Sequence, residues 1–256
     1  MLLAVDIGNT NTVIGLFKNR ELRRFWRIST RKKATVDEFS ILVKSLFTES
    51  SLTPDDIKKV VISSVVPEID HIISEFTSSY LTNAETYWIN SESVRDIMPV
   101  LYTNPAEVGA DRIINGIAAY KKHKSSLIVI DFGTATTFDV ISSKGEYIGG
   151  AISPGIKISS EALFSTASKL PRAELSAPPE TVVGKDTITS IKSGILYGYA
   201  SMVDGMVSKI KKERKDNPRV IATGGLSVIM EKITESIDNL EPHLTLEGML
   251  IVSELF

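Results

Sequence analysis

Two short runs 125 positions apart constrain this chain more than any other feature. Asp6-Ile7-Gly8-Asn9-Thr10 and Asp131-Phe132-Gly133-Thr134-Ala135 share an Asp, an apolar residue, a Gly and a small polar residue. Each closes one apolar run and opens another, so each predicts a β-hairpin with glycine in its connection. The spacing is about half of the 256 residues. That is too long for a solenoid period and suits a duplicated domain.

The rest of each half follows one order. After the first hairpin, Leu22 to Ile28 predicts a third strand, and Thr35 with Glu38 a capping box for a helix to about Phe47. Thr53-Pro54 opens a short helix, Lys59 to Ser63 is a β-branched strand, Ile69 to Phe76 is helical in spacing, and Thr86 to Ile89 is strand-like. In the second half, Tyr147 to Ser153 adds a third strand, with helices near Lys157 to Ala167 and Thr187 to Lys212. Arg219 to Thr223 is a strand ending in Gly224-Gly225, and Leu246 to Leu255 is a closing helix. Three strands, then alternating helix and strand, occur twice, which predicts an α/β protein with a mixed, helix-flanked sheet in each lobe. The polar stretch Lys121 to Ser126 divides the lobes into 1–122 and 123–256. Gly194, Gly198 and Gly205 interrupt the helix from Thr187, each at a cost of about 1 kcal/mol relative to Ala. Gly194 and Gly198 share a face, which predicts close packing against a strand or helix.

Composition removes several classes of function. A net charge of −2 provides no broad basic field for nonspecific nucleic-acid binding, and no nucleic-acid partner is expected. The absence of cysteine excludes disulfides, thiolate metal sites and cysteine nucleophiles. No segment approaches about 20 apolar residues, so a soluble, cytoplasmic protein without a membrane partner is expected. His71, His123 and His243 lack metal-ligand spacing.

The two commonest phosphate-binding fingerprints, G-x-x-x-x-G-K-[ST] and G-x-G-x-x-G, are missing. The hairpins offer another cradle. Glycine lets the backbone approach a phosphate, its N–H groups can face the anion, and Asn9, Thr10, Asn11 and Thr12 add short donors. Asp6 at a strand end suits Mg²⁺ bridging ATP phosphates. Turn chemistry alone accounts for one such turn. Two matched turns at half-chain spacing, each facing a shared cleft, are the layout of actin-like ATPases and sugar kinases. Thr223-Gly224-Gly225 would let a flat ring such as adenine lie on the backbone; the plainer alternative is a strand-to-helix turn capped by Ser227. Asp111, in Gly109-Ala110-Asp111-Arg112, suits a helix first turn. The same group also suits a general base, with Arg112 taking an anionic substrate group.

Taken together, these residues resemble the type III pantothenate kinases, relatives of acetate and sugar kinases, Hsp70 and actin. The likeness runs over essentially the whole chain. It rests on Asp6 to Asn11, Asn104 to Arg112, Asp131 to Thr137, Gly149 to Gly155 and Gly184 to Thr187. It implies two duplicated ribonuclease H-like (actin-like ATPase) lobes, each a mixed five-stranded sheet flanked by helices. The implied activity is ATP-dependent phosphorylation of the primary hydroxyl of pantothenate to 4'-phosphopantothenate, the first step of coenzyme A biosynthesis. By the resemblance, Asp6, Ile7, Gly8, Asn9, Thr10, Asn11, Thr12, Val13 and Thr134 would contact ATP, and Asp6 would organise Mg²⁺. Asp111 would be the catalytic base. Tyr102, Gly109, Ala110, Asp111, Arg112 and Thr187 would hold pantothenate, and Asp131 the required monovalent cation, K⁺ or NH₄⁺. A homodimer with its substrate site near the interface is also implied. The alternatives are a noncatalytic actin-like nucleotide switch, or a kinase for another small hydroxy or carboxylate metabolite.

Overall fold

The computed structural model describes all of Met1–Phe256. The chain forms two compact units, Met1–Ala118 with Thr245–Phe256, and Ala119–Leu244. In the first unit, β1 (Leu2–Ile7), β2 (Asn11–Lys18) and β3 (Glu21–Ser29) form an antiparallel meander, and β4 (Lys59–Ser64) and β5 (Glu85–Trp88) add in parallel beyond β1. The sheet order is β3-β2-β1-β4-β5. Helices α1 (Val36–Glu49) and α2 (Pro67–Tyr80) carry the crossovers, as parallel pairing requires. Thr35 and Glu38 make the expected capping box at the head of α1. Alternation along the strands sends Val5, Ile7 and Ile14 into a core with Val43 and Phe47 of α1 and Ile72 and Phe76 of α2. Asp6 and Val13 therefore face the other side of the sheet.

The second unit repeats this topology strand for strand. Here β6 (Leu127–Phe132), β7 (Ala135–Ile141) and β8 (Tyr147–Pro154) form the meander, and β9 (Arg219–Thr223) and β10 (Asn239–Leu240) run parallel to β6. Read from its meander end, the order is β8-β7-β6-β9-β10. Helices α4 (Ile156–Thr166) and α5 (Thr187–Arg214) lie between β8 and β9, and α6 (Ser227–Glu231) precedes β10. Both lobes are the mixed five-stranded sheets expected. The fifth strand of the second, only two residues long, carries no sequence signal of its own.

Compactness places the divide at Ala118/Ala119, inside α3 (Ala110–His123), where the sequence reading divides at 122/123. It also returns most of α7 (Leu244–Ser253) to the first unit, whereas the sequence reading keeps that helix in the second. Glycine makes the return possible. A Cβ on Gly248 would stand 2.5 Å from the Ile114 carbonyl oxygen of α3, and one on Gly15 of β2 would stand 2.9 Å from the Leu246 side chain. Without side chains at both points, helix meets helix and sheet at backbone distance.

One packing expectation is corrected. Gly194 and Gly198 pack against neither strand nor helix of this chain: nothing lies within 4 Å of where a Cβ would stand, and the same is true of Gly205. The core face of α5 consists instead of Ile191, Ile195, Leu196, Val203 and Val207, which leaves the glycines opposite.

Candidate active site

The first hairpin ends β1 at Ile7 and pairs it with Thr12, so residues 8–11 form the turn. The Gly8 N–H closes it on the Asn11 carbonyl at 3.0 Å. The sequence reading missed the residue that holds this turn from outside. Thr30, just past β3, donates its N–H to the Thr10 carbonyl at 3.0 Å and its hydroxyl to the Gly8 carbonyl at 2.7 Å. Its hydroxyl also lies 2.9 Å from that of Thr12. Both turn carbonyls are thus tied toward β3. Nothing local in the sequence marks Thr30, because its role depends on β3 folding back beside β2.

The second hairpin is built alike, with a turn one residue shorter, between Phe132 and Thr136. Gly155, 125 positions after Thr30, is its counterpart: its N–H donates to the Thr134 carbonyl at 3.1 Å. A Cβ there would collide with the Gly133 and Thr134 carbonyls. The duplication extends to the brace.

Asp6 and Asp111 approach each other in the first unit. Burial, and then the negative charge of Asp111, push Asp6 up from 3.8 to about 7; the nearby Ser63 hydroxyl and the Arg27 charge pull the other way. Register places Ser63 directly beside Asp6 on β4. Burial also raises Asp111, opposed by the Arg112 N–H and guanidinium. The Asp111 Oδ1 accepts the Arg112 N–H at 2.8 Å. It stands 2.6 Å from where a Cβ of Gly109 would be, so any larger residue at 109 would dislodge that carboxylate. Ala110 and Arg112 are buried in the first turn of α3, with Asp111 half-buried between them. Two half-buried carboxylates that repel each other, both driven toward protonation, suit a divalent cation's charge. No group of three or more His, Asp or Glu side chains converges to hold a metal by protein ligands alone.

In the second unit Asp131 lies beside Thr223 of β9, followed by Gly224 at φ +93°. A Cβ on Gly224 would overlap the Asp131 carboxylate and the Phe132 backbone, so a glycine is required both for its torsion and for its proximity. Ser227 does not cap α6 as the plainer alternative has it: Leu226 is the N-cap, and the Ser227 hydroxyl donates to the Gly224 carbonyl at 2.7 Å. Tyr102, 38% exposed, lies between β5 and α3. Thr187 opens α5 behind the N-cap Asp186, whose carboxylate accepts the Thr189 N–H at 2.9 Å. It lines a groove of about 740 Å³ with Leu163, Leu170, Lys185 and Ile191, a lining that includes neither Asp131 nor Thr134.

Comparison with known proteins bears on the family and the fold. Residues 2–209 match the family model described as type III pantothenate kinase. The type III pantothenate kinase of Desulforapulum autotrophicum is 54% identical over 254 residues, covering 99% of this chain and 97% of that protein. Among solved structures, an inorganic polyphosphate/ATP-glucomannokinase from Arthrobacter superposes with a TM-score of 0.53 at 17% identity, over 99% of this chain and 98% of the other. An archaeal actin homologue superposes with a TM-score of 0.55 at 12% identity, over 100% and 99%. The two structures share the actin-like fold; the sequence match goes further and decides against a noncatalytic switch. This chain belongs to the type III pantothenate kinase family.

Proposed function

We propose that, in the ATP-dependent phosphorylation of pantothenate that membership of this family entails, Asp111 takes the proton from the attacking primary hydroxyl. The observation that carries this reading is the pair of half-buried carboxylates, Asp6 at the end of β1 and Asp111 at the head of α3, each raised above its ordinary range. A carboxylate raised toward neutrality is a better proton acceptor near physiological pH than one that titrates near 4. The Arg112 N–H holds Asp111 Oδ1, leaving Oδ2 for the substrate. Tyr102, Gly109, Ala110 and Arg112 hold pantothenate in this reading, with the Arg112 guanidinium on its carboxylate, and Thr187 contributes a further contact.

Asp6 to Val13 surround the ATP phosphates, and Thr134 adds a contact from the second hairpin. Support comes from Thr30, which ties the Gly8 and Thr10 carbonyls toward β3 and so fixes the turn at the end of β1 beside Asp6. Bound through the nucleotide and Asp6, Mg²⁺ supplies charge neutralisation for the transferring phosphoryl group. Asp131 is assigned to K⁺ or NH₄⁺; the close backbone of Gly224 makes a cradle around its carboxylate that any side chain would fill. We assign the protein to the cytoplasm, in keeping with its having no helix long and apolar enough to cross a membrane. We further assign it a homodimeric state, supported by the open glycine face of α5.

The decisive assay is ADP release with Mg²⁺ and K⁺, with and without pantothenate. Asp111→Asn is expected to bind ATP nearly normally and to turn over roughly 10²–10⁴-fold more slowly. Near-normal turnover in that variant would remove Asp111 from the base role.

A further inference from the structure

Four arginines lie on the hairpin of β2 and β3 or in its connection, and three have partners. Arg20 pairs with Glu254, Arg23 with Glu21 at 2.6 Å, and Arg24 with Glu49 at 3.5 Å and the Ser50 hydroxyl at 2.8 Å. Arg27 makes neither an ion pair nor a hydrogen bond, is exposed, and acts electrostatically on Asp6.

Its place in the sheet explains that action. Asp6 pairs with Val13, and Val13 with Arg27, so the three form one row across β1, β2 and β3. Residues paired across antiparallel strands share a face. Val5, Ile7, Ile14, Trp26 and Ile28 point to the helix-covered core, so the row points to the opposite side, with Asp6 at one end and Arg27 at the other. Two strand spacings separate the ends, about 10 Å, most of which an extended arginine can span. Arg27 is also three residues before Thr30, the brace of the Gly8–Asn11 turn. It is a cation without a carboxylate partner, on the face and at the end of the sheet where the turn projects.

We propose that Arg27 is a nucleotide-binding residue, its guanidinium engaging the phosphate chain of ATP held by the first hairpin. This rests on reading that hairpin as the phosphate cradle. The chemistry favours it: the phosphate chain is polyanionic, Asp6 and Asp111 offer it no positive charge, and a planar guanidinium matches phosphate oxygens in pairs. The unfilled hydrogen-bonding capacity of Arg27 is what such a ligand needs.

The test is calorimetric Mg·ATP binding to wild type, Arg27→Gln and Arg27→Lys, with KM for ATP and for pantothenate measured in parallel. Arg27→Gln is expected to weaken Mg·ATP binding and raise KM for ATP by about 10–100-fold. Arg27→Lys should recover part of the loss, while KM for pantothenate and the thermal midpoint stay near wild type. Arg27→Gln binding Mg·ATP within twofold of wild type, or a loss confined to pantothenate, overturns the proposal while leaving the cradle in place. Unchanged Mg·ATP binding in an Asp6→Asn, Thr30→Val double variant overturns the cradle, and the proposal with it.

Discussion

At the scale of single residues, the site contains groups that are costly to fold. Asp6 titrates near 7 in the folded protein against 3.8 in the unfolded chain. Between those values the folded state keeps a proton that the unfolded state has released, so stability falls as pH rises through this window. Asp6→Asn removes the penalty. Without nucleotide or metal, its thermal midpoint is expected to match wild type near pH 4 and to exceed it by several degrees at pH 8, while catalysis is lost. Parallel melting curves across that range would show that Asp6 is not held neutral. Thr30 makes the converse argument, being useful without being strained. Thr30→Val loses the hydroxyl that ties down the Gly8 carbonyl, and a net hydrogen bond of about 1–1.5 kcal/mol translates to roughly tenfold in KM for ATP. Thr30→Ser keeps that hydroxyl and should keep the affinity; equal defects in the two variants would assign the position to packing.

At the scale of elements, α5 shows how far periodicity carries. Its extent, from Thr187 to about Lys212, is legible in the chain, and the structure runs it from Thr187 to Arg214. Its glycines are legible too, but their destination is not: spacing says that Gly194 and Gly198 share a face, and only the structure says that the face is open. Each exposed glycine costs the helix about 1 kcal/mol relative to Ala, and a second copy closing on that face is the compensation we propose. Gly198→Leu is therefore expected to convert a dimer to a monomer in sedimentation, with the secondary structure unchanged. A Gly198→Leu protein that sediments as a dimer would move the interface elsewhere.

At the scale of the whole molecule, the duplication governs. Each lobe pairs a meander with two parallel strands in one order, and each presents an Asp at the end of its first strand next to a braced turn. What breaks the symmetry is α7, which joins the first unit through Gly248 and Gly15. Gly248→Val would drive a side chain into the Ile114 backbone, and an overpacking cost of about 3 kcal/mol is expected in urea unfolding. A loss below about 0.5 kcal/mol would mean that α7 can shift without penalty. Short-range physics was readable in advance: hairpins, the capping box at Thr35, the sheet class and the two aspartates all follow from spacing and side-chain chemistry within a few residues. Arg27, Thr30, the raised Asp6 and the return of α7 were not, because each depends on which residues sit side by side across strands or between helices far apart in the chain. Turn chemistry and apolar periodicity, both local in the chain, lead to the duplicated α/β lobes and to an Asp at the end of each first strand. Which polar groups come side by side follows from pairing across strands and packing between helices, since burial and register belong to the packed sheet and not to any one segment.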